Sequence, residues 1–374
     1  NNSSDCVNNN YELITMGTIK RTFANNLTGA GKISSTGLDS VVPASNIANS
    51  SVTNVTEVSP SIGAAIKGVA GNPPSQALGD MWYDTDLGAL KNFGVQAAAW
   101  SSGDNLPTGK RFMANAGTQT AQLAAGGGTQ TAPDSSSSFE YDGSSWSSGG
   151  SLATSRGAFG GTGTLTSALA FGGRAGSPAG MNNTEEYDGS SWTAGGNLNN
   201  ARRYIAGFGV QTAAVGIGGQ PGQPTPNGTE EYNGSSWTTG NNTPTSAGNG
   251  QAGGTLTAGV ASAGAVGGVV AFYDGTNWTT GATMLENLGG AGGGTQSDHW
   301  AAGGGSGSAT TQIYNGSTWV SAPNMGTARN HLKGKSPTSA GAIGCGGYSG
   351  TTVQTATEEF TAETNAIKTV TTST

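Results

Sequence analysis

Between about residue 90 and residue 360 the apolar positions fall into short groups that recur at a fixed interval. Runs of small apolar residues end in glycine doublets: "QLAAGGG" (122–128), "ALAFGG" (168–173), "AVGIGG" (214–219), "GAVGG" (264–268), "WAAGGG" (300–305) and "AIGCGG" (342–347). An aromatic motif alternates with them: "EYDGSSW" at 140–146 and again at 186–192, "EYNGSSW" at 231–237, "FYDGTNW" at 272–278 and "IYNGSTW" at 313–319. Trp100, Trp146, Trp192, Trp237, Trp278 and Trp319 set the period, with spacings of 46, 46, 45, 41 and 41 residues. After each Trp comes a polar turn, often ending in a basic residue: "TGKR" (108–111), "TSR" (154–156), "ARR" (201–203), "TAR" (327–329). A Gly-rich strand such as "YIAGFG" (204–209), the strand that ends in the doublet, and the aromatic hairpin complete the unit. No segment of this region carries a helical period. Short apolar runs bounded by turn residues predict four strands per unit.

Asp-Gly and Asn-Gly are strong two-residue hairpin signals, because a type I′ turn needs positive φ at both positions. With Asp142–Gly143 as that turn, Tyr141 pairs with Ser144 and Phe139 with Trp146. Tyr141 and Trp146 then share a sheet face as diagonal neighbours. The same register sets Tyr187 beside Trp192, Tyr232 beside Trp237, Tyr273 beside Trp278 and Tyr314 beside Trp319. These positions read as architecture, one sheet packing on the next. The last unit, "TATEEF" (355–360), has no Trp after it, whereas Trp100 has no complete unit before it. The expectation is that the strand around Trp100 completes the C-terminal unit, joins the two ends and removes a free edge.

Composition bears on how such sheets pack. Gly supplies 66 of the 374 residues and charged residues only 10%, against about 25% in ordinary soluble domains. Any core is built from small side chains and regularly placed aromatics. The net charge is −7, with no run of basic residues, so the electrostatic footprint of a nucleic-acid binder is missing. No apolar run reaches the ~18 residues of a membrane-spanning helix. Cys6 and Cys345 are too far apart in sequence to suggest a metal site or disulfide framework, and Cys345 reads as a buried thiol. "MGTIKRTFANN", from Met16, reads as a natural start, with residues 1–15 as a polar leader.

The apolar strand ending in Gly-Gly, then a Tyr, then a Trp a few residues on, resembles the kelch-type β-propellers over residues ~90–360. The resemblance implies an all-β, six-bladed propeller closed by the strand near Trp100. "GDMWYDTDLGALK" (79–91) and "MGTIKRTFANN" are similar to segments of virion appendage proteins of marine bacteriophages. That similarity implies an N-terminal stalk or attachment segment of irregular, extended β structure at 16–87, a propeller at 88–362 and a polar tail at 363–374. It implies a virion structural protein (tail fibre, spike or decoration). Other virion proteins would hold residues 16–87, the subunits would form a homo-oligomer, a trimer, and the propeller would meet a host receptor or glycan. An extracellular kelch-like lectin or adhesin is the alternative, and a propeller enzyme the third reading.

No catalytic or metal constellation emerges from the sequence, and no cofactor is expected. The repeat lacks the spacing of the sialidase-type Asp-box, since Asp142 and Gly143 are adjacent and Asn233 and Asn315 replace the Asp. One carboxylate per unit is too few for calcium. His299 and His331 are the only histidines, too few for the copper sites of kelch-type oxidases, and lack metal-ligand spacing. Glu185–Glu186, Glu230–Glu231 and Glu358–Glu359 are neighbours on strands and so face opposite ways, which suits architecture better than paired acid–base work. Recognition, if it lives on loops, falls to the variable segments after the glycine doublets, with Arg174, Asn182, Gln220, Gln223 and Tyr348 as candidates.

Overall fold

The computed structural model describes residues 67–370 apart from 79, 133, 177–178, 220–226, 245–247, 249 and 263–267. The leader and most of the 16–87 segment therefore lie outside the described residues. The chain forms two compact units, residues 98–362 and residues 1–97 with 363–374. The second unit contains one described sheet of β1 (Lys67–Val69), β2 (Met81–Asp84), β3 (Ala89–Gln96) and, from the far end of the chain, β27 (Thr364–Thr369). Trp82 and Leu90 are its buried apolar residues.

The 98–362 unit opens with β4 (Ala99–Ser102). Five four-stranded antiparallel sheets follow, each made by consecutive strands. They are β5 (Ala114–Thr118) to β8 (Trp146–Ser148), β9 (Gly160–Thr164) to β12 (Trp192–Ala194), β13 (Ala206–Val210) to β16 (Trp237–Gly240), β17 (Gln251–Thr255) to β20 (Trp278–Thr280), and β21 (Ala291–Gly294) to β24 (Trp319–Ala322). The last sheet holds β25 (Ile343–Cys345) and β26 (Thr357–Thr361), with β4 as its outer strand. There Phe360 stands opposite Trp100, their rings 5.4 Å apart. Lys333 bridges to Cys345 on the other side of β25.

Three sequence expectations change. Seven sheets are present among the described residues, not six, because β1–β3 and β27 make a sheet outside the repeat. Residues 88–96, assigned to the propeller, belong to that sheet, and so do residues 364–369, read as a polar tail: Gln96 pairs with Thr364 and Lys91 with Thr369. Burial alternates along "ALKNFG", with Leu90, Asn92 and Gly94 buried and Ala89, Lys91 and Phe93 half-buried, and β27 supplies a partner for the edge of β3.

The third concerns the hairpin. Tyr141 pairs directly with Trp146, not diagonally, with ring centroids 4.9 Å apart. The loop is four residues long, closed by Asp142 N–H donating to Ser145 O at 3.2 Å. Asp142 Oδ1 accepts the N–H groups of Ser144 and Ser145, each at 2.8 Å. Such an Asx turn needs one side-chain oxygen and positive φ only at Gly143. Asn233 and Asn315 supply the same oxygen to the same two N–H groups, which is why Asp and Asn interchange. Direct pairing recurs at Tyr187–Trp192, Tyr232–Trp237, Tyr273–Trp278 and Tyr314–Trp319.

Successive sheets are joined by side chains of this hairpin. Trp Nε1 donates to a hydroxyl of the preceding sheet: Trp146 to Thr357 at 3.0 Å, Trp237 to Thr184 at 2.9 Å, Trp278 to Thr229 at 3.0 Å and Trp100 to Thr311 at 2.9 Å. The Tyr hydroxyls donate in the same direction, Tyr141 to Glu359, Tyr187 to Glu140, Tyr232 to Glu186 and Tyr273 to Glu231. Burial, then the adjoining carboxylate, pushes the Tyr187 and Tyr232 phenols up to about 12, so they remain donors. Where the acceptor is lost the pair becomes apolar: Phe272 stacks on Tyr314 with centroids 5.8 Å apart. Ile313 packs in the cluster that holds Phe360. Glycine makes room at these contacts. A Cβ on Gly207 would collide with the Phe171 ring of the preceding sheet.

Within a sheet, the other Glu of each pair binds the repeat's buried Arg. Arg202 donates to the carbonyls of Gly218 and Gly228 at 2.9 and 2.8 Å, and to Glu230 Oε1 at 3.0 Å. Arg156 does the same with Gly172, Asn183 and Glu185, and Arg329 with Gly346, Ala356 and Glu358. Removing one partner of a buried pair strands the other charge, at about 3–5 kcal/mol. Arg202→Met is expected to lower stability by about that much. Arg202→Met with Glu230→Gln should recover a large part of the loss, as urea unfolding of the single and double variants will show.

Candidate functional site

The buried cation fixes the backbone beyond it. Two residues after Lys110, Arg156, Arg202 and Arg329, the chain turns left-handed, with φ of 59° at Phe112, 55° at Ala158, 57° at Tyr204 and 52° at His331. Each such residue costs about 1–2 kcal/mol without a glycine. The four are stitched together: Phe112 N–H donates to His331 O at 3.1 Å, Ala158 N–H to Phe112 O at 2.9 Å and Tyr204 N–H to Ala158 O at 2.6 Å.

This strained arc presents rings and cations together. The Phe112 ring lies 4.0 Å from the His331 ring and 5.6 Å from that of Tyr204. Arg111 sits over both Phe112 and Tyr348, Arg174 over Phe112, and Arg203 over Tyr204, each guanidinium carbon 5.0–5.6 Å from the ring centre. The three arginines, Tyr204, His331 and Tyr348 are half-buried. Arg174 faces Asp134 at 3.6 Å. Arg111 and Arg203 form no ion pair among the described residues. Burial, followed by the charges of Lys333, Arg111 and Arg174, lowers the His331 imidazole to about 4, so it is neutral at pH 7.

Met113, Phe159 and Ile205 follow the arc directly and line a cavity of about 50 Å³. Segments of all six repeats contribute to it, among them Asn115, Gly161, Gly207, Gln251, Gly292, Lys333 and Lys335. The space suits a few water molecules, not a sugar ring.

Of the residues expected to bind, Arg174 and Tyr348 reach this cluster. Each is the residue after a glycine doublet, and each bridges back to the arc, Arg174 to Gly157 and Tyr348 to Asn330. Asn182 does not reach it; its amide donates to Leu198 O at 3.3 Å and holds its own loop. Gln220 and Gln223 lie outside the described residues. Arg111, Phe112, Arg203, Tyr204 and His331 are not among the binding candidates of the sequence, where Arg111 and Arg203 read as turn residues and His331 as a histidine without metal-ligand spacing. Their signal was the pair of residues after the repeat's buried cation: "RF", "RY" and "NH" after Lys110, Arg202 and Arg329.

Other chemistry is poorly served. Among the described residues no three His, Cys, Asp or Glu side chains gather as metal ligands. Ser262 Oγ and His299 Nε2 are 2.8 Å apart, but both residues are fully buried and His299 Nδ1 has no partner to orient the ring. Burial lowers His299 to about 3.

No protein-family model matches the chain, and no curated protein matches it. Among solved structures, one titled "Structure of YjhT" matches with a TM-score of 0.58 at 12% identity, over 71% of this chain and 98% of that one. The likeness, with the repeated small antiparallel sheets, shows a β-propeller fold.

Ala158→Gly relieves the left-handed strain without touching the cluster's side chains. It should raise stability by about 0.5–1 kcal/mol, read from the denaturation midpoint. The histidines give a second expectation. Both have folded-state values below the ordinary 6.5, so the unfolded chain binds more protons below about pH 6.5. Stability is then fully present above that pH and falls toward about pH 4 and pH 3. Imidazole NMR signals of the folded protein should remain those of the neutral form at pH 5.

Proposed function

We propose that this protein is a non-enzymatic attachment protein whose propeller recognises an anionic group on a cell surface. In this reading the six sheets of residues 98–362 form a closed six-bladed ring, completed where β4 pairs with β26. The Arg111–Arg174–Arg203 cluster at one mouth of the ring is the recognition site. One observation carries the reading: three guanidinium groups, each with a face on an aromatic ring, converge while only Arg174 has a carboxylate nearby. An arginine so placed keeps its planar N–H edge for bidentate carboxylate, phosphate or sulfate. The rings offer flat apolar faces to the rest of the ligand. The neutral His331 and the absence of an oriented acid–base pair in the cluster favour binding over turnover.

The setting rests on the sequence resemblance to virion appendage proteins. Residues 16–87 would hold the chain to other virion proteins in a homo-oligomer, a trimer, and the propeller would be the exposed head on the particle. Mass spectrometry and labelled imaging of purified particles should find the chain on virions; its absence there removes the viral assignment. Independently, Arg111→Ala with Arg203→Ala should weaken adhesion of the isolated protein to its target cells by at least about tenfold, on the scale of lost charge-assisted contacts. Undiminished adhesion removes the site.

A further inference from the structure

We propose that the cavity between the first strands of the repeats binds a small monovalent inorganic anion, chloride, between Lys333 and Lys335. The two lysines belong to "HLKGK" (331–335), are two residues apart, and both line the cavity. Spacing by two along an extended segment sends side chains to the same side. The other lining groups are glycine backbone, small or apolar side chains, Asn115 and Gln251; no carboxylate is among them. Lys335 Nζ donates across the cavity to Gly207 O. That carbonyl is a dipole, not a counter-charge. Lys333 Nζ has no hydrogen bond or ion pair among the described residues.

Lys333 and Lys335 are half-buried, and two ammonium groups lining one cavity without a counter-ion repel each other where water is too sparse to screen them fully. Burial lowers Lys333 to about 8; burial and then the charge on Lys333 lower Lys335 to about 7. An anion between them offsets both effects. The volume decides its class. About 50 Å³ admits a halide with one or two waters and excludes a phosphate ester or a sugar acid. The buried Oδ1 of Asn115, whose side chain is otherwise engaged only at Nδ2 by Cys345 Sγ, has no partner. A water held by the anion satisfies it. This site does not depend on the ligand assigned to the mouth.

The test uses the whole chain at constant ionic strength, exchanging sodium gluconate for sodium chloride. The thermal midpoint should rise progressively by about 2–4 °C. Crystals soaked in sodium bromide should show an anomalous peak within hydrogen-bond distance of Lys333 Nζ and Lys335 Nζ. The double variant Lys333→Met, Lys335→Met should lose the chloride dependence. A midpoint that ignores chloride, a bromide peak absent from the cavity, or a chloride response that survives in the double variant each overturns the proposal.

Discussion

The buried cation at the start of four of the six repeats is the interaction on which the architecture rests. The strands before and after a glycine doublet leave carbonyls pointing inward, where water does not reach. Arg156, Arg202 and Arg329 satisfy two of them apiece and need a Glu to balance their charge. The first repeat solves the problem differently. Lys110 takes carbonyl and serine oxygens and sits over Phe139, which stands where the Glu would be. In the fifth, Gln312 occupies the Glu position and bonds backbone of the 285–286 segment. The buried carboxylate thus accompanies the arginines and is absent beside Lys110.

That same cation decides where the clustered rings stand. The tight course of backbone around it forces the left-handed residue two positions on. This residue is Phe112, Tyr204 or His331 in three of four repeats. A position that a glycine would fill at less cost is given instead to rings. Structural strain is accepted where the aromatic cluster forms, and the surrounding repeats hold it in place.

Much of the fold was legible because turn chemistry and hydrophobic period are local properties. The Trp ladder and glycine doublets placed the strands, and the missing Trp after Phe360 pointed to β4. The hairpin register was misread because Asp-Gly encodes two turns, and only the acceptor role of Asp142 Oδ1 distinguishes them. The small sheet was hidden because β27 is short, polar and some 270 residues from its partner. The site was less legible still. Arg111, Arg174 and Arg203 are scattered over a chain of net negative charge, and no sequence window contains more than one of them. Only the stacking of equivalent repeat positions gathers them. Arg174 and Tyr348, which follow glycine doublets, lie in the cluster; the residues beside them sit before the first strand, where the sequence shows only a polar turn.

The strands that lead into and out of the 98–362 unit are hydrogen-bonded neighbours, with Gln96 opposite Thr364 on one side and Ala99 opposite Thr361 on the other. Topologically, the whole series of repeats is one very large loop inserted between β3 and β27. Insertions whose two ends emerge side by side leave the host framework undisturbed. The 98–362 unit can therefore be exchanged as a cassette, by recombination or by design, with the strands of the small sheet unchanged on either side of the join.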